Sequence, residues 1–401
     1  MRLRLLLLAL GTFAVGTDSM VMAGILGLVA RDLDVSVPAA GQMVTVFALA
    51  YAVFAPLLAT LTARWPRRRL LLAALVVFTA ANALSALAPT YETLLATRVL
   101  AAAGAALYTP TANAVATGLV PPEQRGRALG TVMGGMTVAT ALGVPLGTYL
   151  GRVEWRLTLW LVVALGIVAI AGVALFLREP PAAGRSATPG LRERLAPLRD
   201  RRVAIGVLTT FAYFLAVNAV YIYLGTAVRT ATGGDADRLS LVLLAGGAAS
   251  VAGTWVGGRA VDRLGADRVL LLGGAVAAAA FTALPWLGRT MPGAMAYAAV
   301  VSMAGWTIGV ALPHRLVSVD PANAPLLISL NSSALYTGIA AGGATGSAAI
   351  ALLGERWFPL TGTALVVAAT VLAGAVRGGR RPVGRLAPTP SAVSGGSRSA
   401  P

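Results

Sequence analysis

The chain has 401 residues, 57% of them hydrophobic and 12% charged, whereas a soluble domain carries roughly 25% charged residues. That balance excludes a single water-soluble core and makes lipid the solvent for much of the surface. The net charge is +17 and every basic residue is arginine, but the arginines lie between long apolar runs rather than on one face with interleaved aromatics, which argues against nucleic acid. The absence of cysteine excludes disulfides, thiol catalysis and Cys-ligated metals, and one histidine, His314, leaves little for a zinc site.

Reading apolar runs between charged or Pro/Gly punctuation predicts twelve membrane-crossing helices. They cover roughly 5–29, 41–63, 70–88, 93–119, 128–151, 157–177, 203–228, 239–260, 268–288, 292–312, 326–353 and 357–376. The basic, apolar start has the look of a signal peptide. The run continues to Ala30 without a clear cleavage site and holds Asp18, so it reads as a retained first span. The longest polar connection, 178–202, contains Glu179-Pro180-Pro181 and seven arginines. It divides the chain into a first six-helix bundle, 1–177, and a second, 203–377, joined by a cytoplasmic loop. Residues 378–401 are mostly Pro, Gly, Ser and Arg and read as a disordered cytoplasmic tail.

Arginine placement sets the expected orientation. With the N-terminus inside, cytoplasmic segments hold twenty-four arginines and outer segments seven: Arg31, Arg152, Arg156, Arg229, Arg238, Arg289 and Arg356. Both ends are then cytoplasmic, in a bacterial inner membrane.

The halves overlay at an offset of 199. Thr62–Leu71 falls on Val261–Leu270, Val120-Pro121 on Val319-Asp320, and Gly143 and Gly147 on Gly342 and Gly346. Such a duplication places a substrate site near the midplane between the repeats.

Several motifs resemble the major facilitator superfamily in its twelve-span drug:proton antiporter branch. Gly258-Arg-Ala-Val-Asp262-Arg263-Leu-Gly265-Ala-Asp-Arg268 is similar to that family's loop after the second span of each half. Its first-half copy keeps Arg64 and Arg67 to Arg69 but has Ala59 and Ala63 where Gly and Asp belong. Leu94–Gly104, around Arg98, is similar to the family's buried-arginine motif. Gly134-x8-Gly143-Val-Pro145-Leu-Gly147-Thr-Tyr-Leu-Gly151 resembles its exporter signature. Gly11–Gly24 with Glu154-Trp155-Arg156 looks like the chloramphenicol- and sugar-efflux members. The resemblance implies an all-α membrane fold of twelve transmembrane helices in two pseudo-symmetric six-helix bundles. It also implies a cytoplasmic latch involving Arg64, Arg68, Gly258, Asp262, Arg263, Gly265 and Arg268, and a monomer.

Two charges lie well inside spans, Asp18 and Arg98. Intramembrane charge costs a few kcal/mol or more, which makes it a functional candidate. Asp18 lies about 20 Å above the cytoplasmic end of its helix and Arg98 about 8 Å below the outer surface, at ~1.5 Å per residue. Both fall in the outer half, within reach of one another. The pair suggests a proton switch handling about one proton per cycle; a purely structural pin between two helices is the plainer alternative. Candidate cavity residues on facing spans are Tyr51, Asn113, Met136, Tyr213, Asn218, Tyr221, Trp306, Asn331 and Tyr336. A mostly apolar lining with few polar anchors suits a small lipophilic ligand. His314 is expected in a packing or surface role.

The function expected is proton-coupled efflux of a drug-like compound by alternating access, with lipid and substrate as partners and no cofactor beyond the coupling proton. Export of a sugar or metabolite, or a non-transporting sensor or channel, are the alternatives. An enzyme fits least, because the phosphate-binding Gly-x4-Gly-Lys-Ser/Thr loop requires a lysine that the chain lacks.

Overall fold

A computed structural model describes residues 2–62, 65–121, 124–177, 196–320 and 323–375. These residues are almost entirely helical, with no strand among them, as lipid demands of a chain that must satisfy its own backbone polar groups. The first six helices are α1 (Arg2–Asp32), α2 (Val37–Leu61), α3 (Arg67–Ala86), α4 (Tyr91–Gly118), α5 and α6 (Trp155–Phe176). Here α5 runs Arg125–Val138, passes through a π-helical turn at Ala139–Gly143, and continues as Val144–Gly151. The second six are α7 (Arg201–Tyr221), α8 (Ala236–Leu264), α9 (Ala266–Leu287), α10 (Met291–Val319), α11 (Ala324–Trp357) and α12 (Pro359–Gly374). Eleven helices among the described residues are long and apolar enough to cross a membrane, and α12 has 16 residues. Gly354, at φ 75°, breaks the regular backbone before the end of α11. The last turn of α11 therefore runs on towards α12, and together they approach the roughly 20 residues a crossing needs. Residues 178–195 of the expected central loop, Arg64, and the expected 378–401 tail lie outside the described residues.

Helix starts are fixed where the chain leaves water. Thr90 and Thr93 form a reciprocal capping box on α4, and Asp200, Asp235 and Thr290 accept backbone N–H bonds at the starts of α7, α8 and α10. Two spans differ from the sequence expectation. The seventh was expected as one run over 203–228, but α7 stops at Tyr221 and short turns follow at Leu224–Ala227 and Arg229–Thr232. The fifth was expected as one run over 128–151, but a π-helical turn interrupts it at Ala139–Gly143. Pro145 cannot donate to the preceding turn, and the π turn just before it absorbs the interruption.

The packing repeats. Contacts of α1 with α5 and α6, α2 with α4, and α3 with α4 and α6 recur as α7 with α11 and α12, α8 with α10, and α9 with α10 and α12. Contact between the two sets runs mainly through α2–α11 and α5–α8. In the first set, Thr17, Val21 and Ile25 of α1 lie against Gly143, Gly147 and Gly151 of α5. A Cβ at Gly147 would fall 2.6 Å from Val21 Cγ2, and one at Gly151 2.8 Å from Ile25 Cγ2. The copy is α7 on α11, where a Cβ at Gly338 would fall 2.6 Å from Phe211 O, and one at Gly342 2.8 Å from Asn218 Cβ. Small residues let helices approach where lipid supplies no hydrophobic drive between them.

The end of the bundle holding residues 33–36, 152–154 and 288–290 is called upper here, and the opposite end lower. At the upper end one apolar cluster joins both halves, with Val21, Ile25 and Met43 from the first and Tyr223, Val242 and Leu243 from the second. At the lower end the apolar contacts divide. One cluster comes from α1–α6 with only Tyr336 and Ala340 of α11 among its buried members from the second half. Another, around Val203, Leu316, Leu327 and Leu330, belongs to the second half alone.

Arg68 Nη2 donates to Ala174 O at 2.6 Å, and Arg315 Nη2 donates to Ala373 O at 2.7 Å. The two carbonyls are related by the repeat offset, and each belongs to the last turn of a helix, α6 or α12. Cations there meet the negative end of the helix dipole.

Filling the α5 groove overpacks it by about 1–3 kcal/mol. Gly147→Leu is expected to lower the melting temperature of the detergent-solubilised protein by several degrees. Gly258→Ala, which adds a Cβ where nothing lies within 4 Å in the interior of α8, is expected to keep it or raise it slightly. Differential scanning fluorimetry of the pair checks both.

Candidate functional site

The structure brings Asp18 and Arg98 together. Arg98 Nη1 donates to Asp18 Oδ1 at 2.6 Å, with both side chains at most 1% exposed. They are the only charged residues buried among the described residues. The groove explains how α1 presents the acid. Thr17, one residue before Asp18, sits on Gly143, so α1 is seated on the π turn where its carboxylate begins. The Phe47 ring of α2 lies 4.6 Å from the guanidinium carbon, and Asn82 Oδ1 of α3 is 3.5 Å from Nη1. Four helices thus converge on one ion pair.

The pair is under-bonded. Asp18 Oδ2 and Arg98 Nε and Nη2 are buried without a hydrogen-bond partner among the described residues. Desolvating two charges is costly, and a pair left with orphaned atoms repays little of that cost. Such a pair is a poor fastener but a responsive one. A proton on Asp18 removes most of the attraction, and the guanidinium must then find another oxygen.

The π turn also touches the second half. A Cβ at Gly247 of α8 would fall 2.5 Å from Thr140 O and 2.6 Å from Ala141 Cα. The segment against which Asp18's helix rests is therefore the segment on which α8 rests. Above it, Arg152 Nη1 donates to Asp237 Oδ2 at 3.0 Å across the seam, while Arg152 Nη2 donates to the Tyr149 hydroxyl at 2.6 Å. Tyr223, fully buried just past α7, donates its hydroxyl to Gly343 O at 2.9 Å and lies 3.5 Å from Pro38 O. Gly41 of α2 leaves the space that this hydroxyl fills. Arg156 and Trp155 both donate to Asp32 Oδ2, at 2.7 and 2.9 Å, tying α6 to the end of α1.

The cavity candidates separate into groups. Tyr51 and Tyr336 meet across the seam, their rings stacked at 3.5 Å between centroids and 20° between planes. Asn113 and Met136 are half-buried on neighbouring helices, with Asn113 Nδ2 3.5 Å from Met133 Sδ and Met136 against Gly16. Tyr213 does not join them. Its hydroxyl donates to Leu270 O at 2.8 Å and lies 3.0 Å from Thr370 Oγ1, inside the second bundle. Asn331 Oδ1 accepts from Thr210 Oγ1 at 2.8 Å and ties α11 to α7 within that bundle. Asn218 Nδ2 donates to Phe214 O of its own helix. Tyr221 and Trp306 are half-buried. Of the signature glycines, Gly143, Gly147 and Gly151 form the groove, Pro145 follows the π turn, and Gly134 has nothing within 4 Å of its Cβ direction. Of the latch residues, Arg68 caps α6. Asp262, Arg263 and Arg268 are exposed and make no ion pair among the described residues. Gly265, at φ 79°, ends α8 in a backbone that favours glycine. His314 is exposed.

Asn82, Phe47 and Tyr223 were not singled out from the sequence. Asn82 had a signal, a carboxamide within an apolar run. Tyr223 had none, because the run through 203–228 concealed the break that turns it into the seam.

A profile of the Major Facilitator Superfamily matches residues 8–319. A chloramphenicol resistance protein of Streptomyces lividans is 35% identical over 378 residues, covering 93% of this chain and 95% of that protein. The inner membrane transport protein YdhP of Escherichia coli K12 is 31% identical over 372 residues, covering 92% and 94%. Among solved structures, a point mutant of the nucleoside transporter NupG superposes with a TM-score of 0.74 at 13% identity, covering 93% of this chain and 98% of that one, a likeness of fold. With the family profile spanning most of its length and such relatives aligned from end to end, this multi-pass membrane protein belongs to the Major Facilitator Superfamily.

Proposed function

We propose that the chain is a secondary transporter that exports a small lipophilic, drug-like compound in exchange for protons, with Asp18 as the proton carrier and Arg98 as its partner. The observation that carries this reading is the buried, under-bonded Asp18–Arg98 pair, seated on the same π turn that α8 of the other half touches. A charge change at Asp18 is thereby adjacent to a contact that must alter when the halves rock. Drug export is supported by the exporter signature on α5 and by the chloramphenicol resistance protein among the relatives. Export of a metabolite by the same cycle is the second reading, favoured by a relative named only as a transport protein.

In this reading the upper end faces outward, the two six-helix bundles move as units, and the structure is the state closed at that end. The Tyr223 plug and the Arg152–Asp237 pair form the outer gate. Asp262, Arg263 and Arg268, exposed and without an ion pair among the described residues, fit a cytoplasmic latch that is released in this state. The Tyr51–Tyr336 stack, with Asn113 and Met136 on the neighbouring helices, marks the floor of the substrate path; Tyr213 and Asn331 serve packing.

Two measurements test the reading. In proteoliposomes under a pH gradient, with internal pH followed while phenicols, lipophilic cations and sugars are added, one class is expected to trigger proton flux. Asp18→Asn is expected to abolish that flux, since an amide does not take up and release a proton as a carboxylate does. Equal flux in the two proteins would remove Asp18 as the carrier. The gate is testable because the chain has no cysteine, so Thr45→Cys introduces the only thiol. That thiol lies beside Gly343, under the plug. Labelling from outside by an impermeant maleimide is expected to be slow, and about tenfold faster when Tyr223→Ala is added. No change on adding Tyr223→Ala would mean that Tyr223 does not close this end.

A further inference from the structure

Asn82 occupies a position that the ion pair alone does not require. It is fully buried on α3, and between Arg69 and Ala86 only Thr79 and Ser85 share its polar character. Its Nδ2 donates to Phe78 O at 3.0 Å, which turns Oδ1 towards Arg98. Nη1 of Arg98 stands between two oxygens, 2.6 Å from Asp18 Oδ1 and 3.5 Å from Asn82 Oδ1. The first distance is a full charge-assisted bond, while the second is at the outer limit of a hydrogen bond. No other charged side chain is buried against the pair from α1 to α6 among the described residues. Phe47 offers only a ring face.

We propose that Asn82 is the positioning residue that receives Arg98 when Asp18 takes a proton. This rests on the reading of Asp18 as the proton carrier. With Asp18 charged, the guanidinium is held by the carboxylate. With Asp18 neutral, that attraction is largely gone, and a shift of about 0.6 Å brings Nη1 to ordinary bonding distance of Asn82 Oδ1. The amide neither gains nor loses a proton. Its role is to keep the buried cation bonded in the proton-loaded state, so that loading does not strand an unpaired charge in a dry site. Asn82 therefore sets the pH at which Asp18 loads.

The substitutions separate this role from packing because they act in opposite directions. Asn82→Ala removes the oxygen, so protonating Asp18 leaves Arg98 without a partner and loading requires lower pH. Asn82→Asp is isosteric and supplies a second carboxylate. That group holds Arg98 whether or not Asp18 is charged, and it repels the Asp18 anion, so loading occurs at higher pH. A loss of packing would not produce shifts of opposite sign.

The test is pH-titrated infrared difference spectroscopy of the full-length protein in proteoliposomes, which needs no substrate. The carbonyl stretch of the protonated Asp18 carboxyl is assigned by its disappearance in Asp18→Asn. Relative to the wild type, its midpoint is expected to fall by about one pH unit or more in Asn82→Ala and to rise by a similar amount in Asn82→Asp. Midpoints unmoved in both variants, or moved in the same direction, overturn the role of Asn82 while leaving Asp18 as the carrier. A wild type with no titrating band that Asp18→Asn removes overturns both.

Discussion

A carboxylate and a guanidinium share a space that water does not reach, and the helices around them are arranged as that contact demands. Asp18 is delivered by α1, whose adjacent face runs through Thr17, Val21 and Ile25 into the glycine groove of α5. Arg98 is delivered by α4, which lies so close to α3 that a Cβ at Gly104 would fall 2.6 Å from Phe78 N. That tight α3–α4 approach is also what brings Asn82 within reach of the guanidinium. Small-residue contacts thus set the helix spacings at which these polar groups meet. Lipid provides no apolar driving force between helices, so close approach and buried polar bonds carry the association. A pair with further atoms left unpartnered among the described residues is unusual in such a setting, because orphaned buried polar atoms cost about 1–3 kcal/mol each. The site keeps three of them.

The groove and the gate are parts of one surface. Above the π turn, α5 continues to Arg152, which crosses to Asp237 at the start of α8. At the π turn itself α5 lies between α1 and α8. A helix with an extra residue in one turn has carbonyls that are not bound in the regular pattern. Here that irregular turn falls where the two halves touch and one residue from the acid. Among the described residues the lower ends of the halves share a smaller apolar contact, made through Tyr336 and Ala340, than the upper ends do.

Much of this was legible in the sequence because lipid imposes long-range order on composition. The twelve apolar runs and the rarity of charge within them follow from what a bilayer allows, and the helices fall along those runs, with α7 ending early at Tyr221. The meeting of Asp18 with Arg98 was legible too, since rise per residue converts sequence position into depth. Rotation about the helix axis was not. Tyr213 was read as facing the cavity, yet its hydroxyl bonds to Leu270 O on the far side of α7. Asn82 has the right depth, but only the α3–α4 approach shows that it points to Arg98. Tyr223 depends on a helix break after Tyr221 that no proline or charge marks within the apolar run. Depth is one-dimensional and survives in a sequence, whereas azimuth depends on neighbours that the sequence does not order.

The two capped carbonyls show how far the halves have diverged. In the first half the cap comes from Arg68 at the start of α3, and the offset position in the second half is Asp267. In the second half the cap comes from Arg315 at the end of α10, which is itself held by Asp267 at 2.9 Å, and its counterpart in the first half is Ala116. The same bond is made from different helices, α3 in the first half and α10 in the second. The halves are consequently no longer interchangeable parts. Recombination that replaced α9 by a copy of α3 would bring two arginines to one helix end, and the reverse exchange would set an acid beside uncapped carbonyls. A duplicated gene that has passed this point is committed to its two distinct copies.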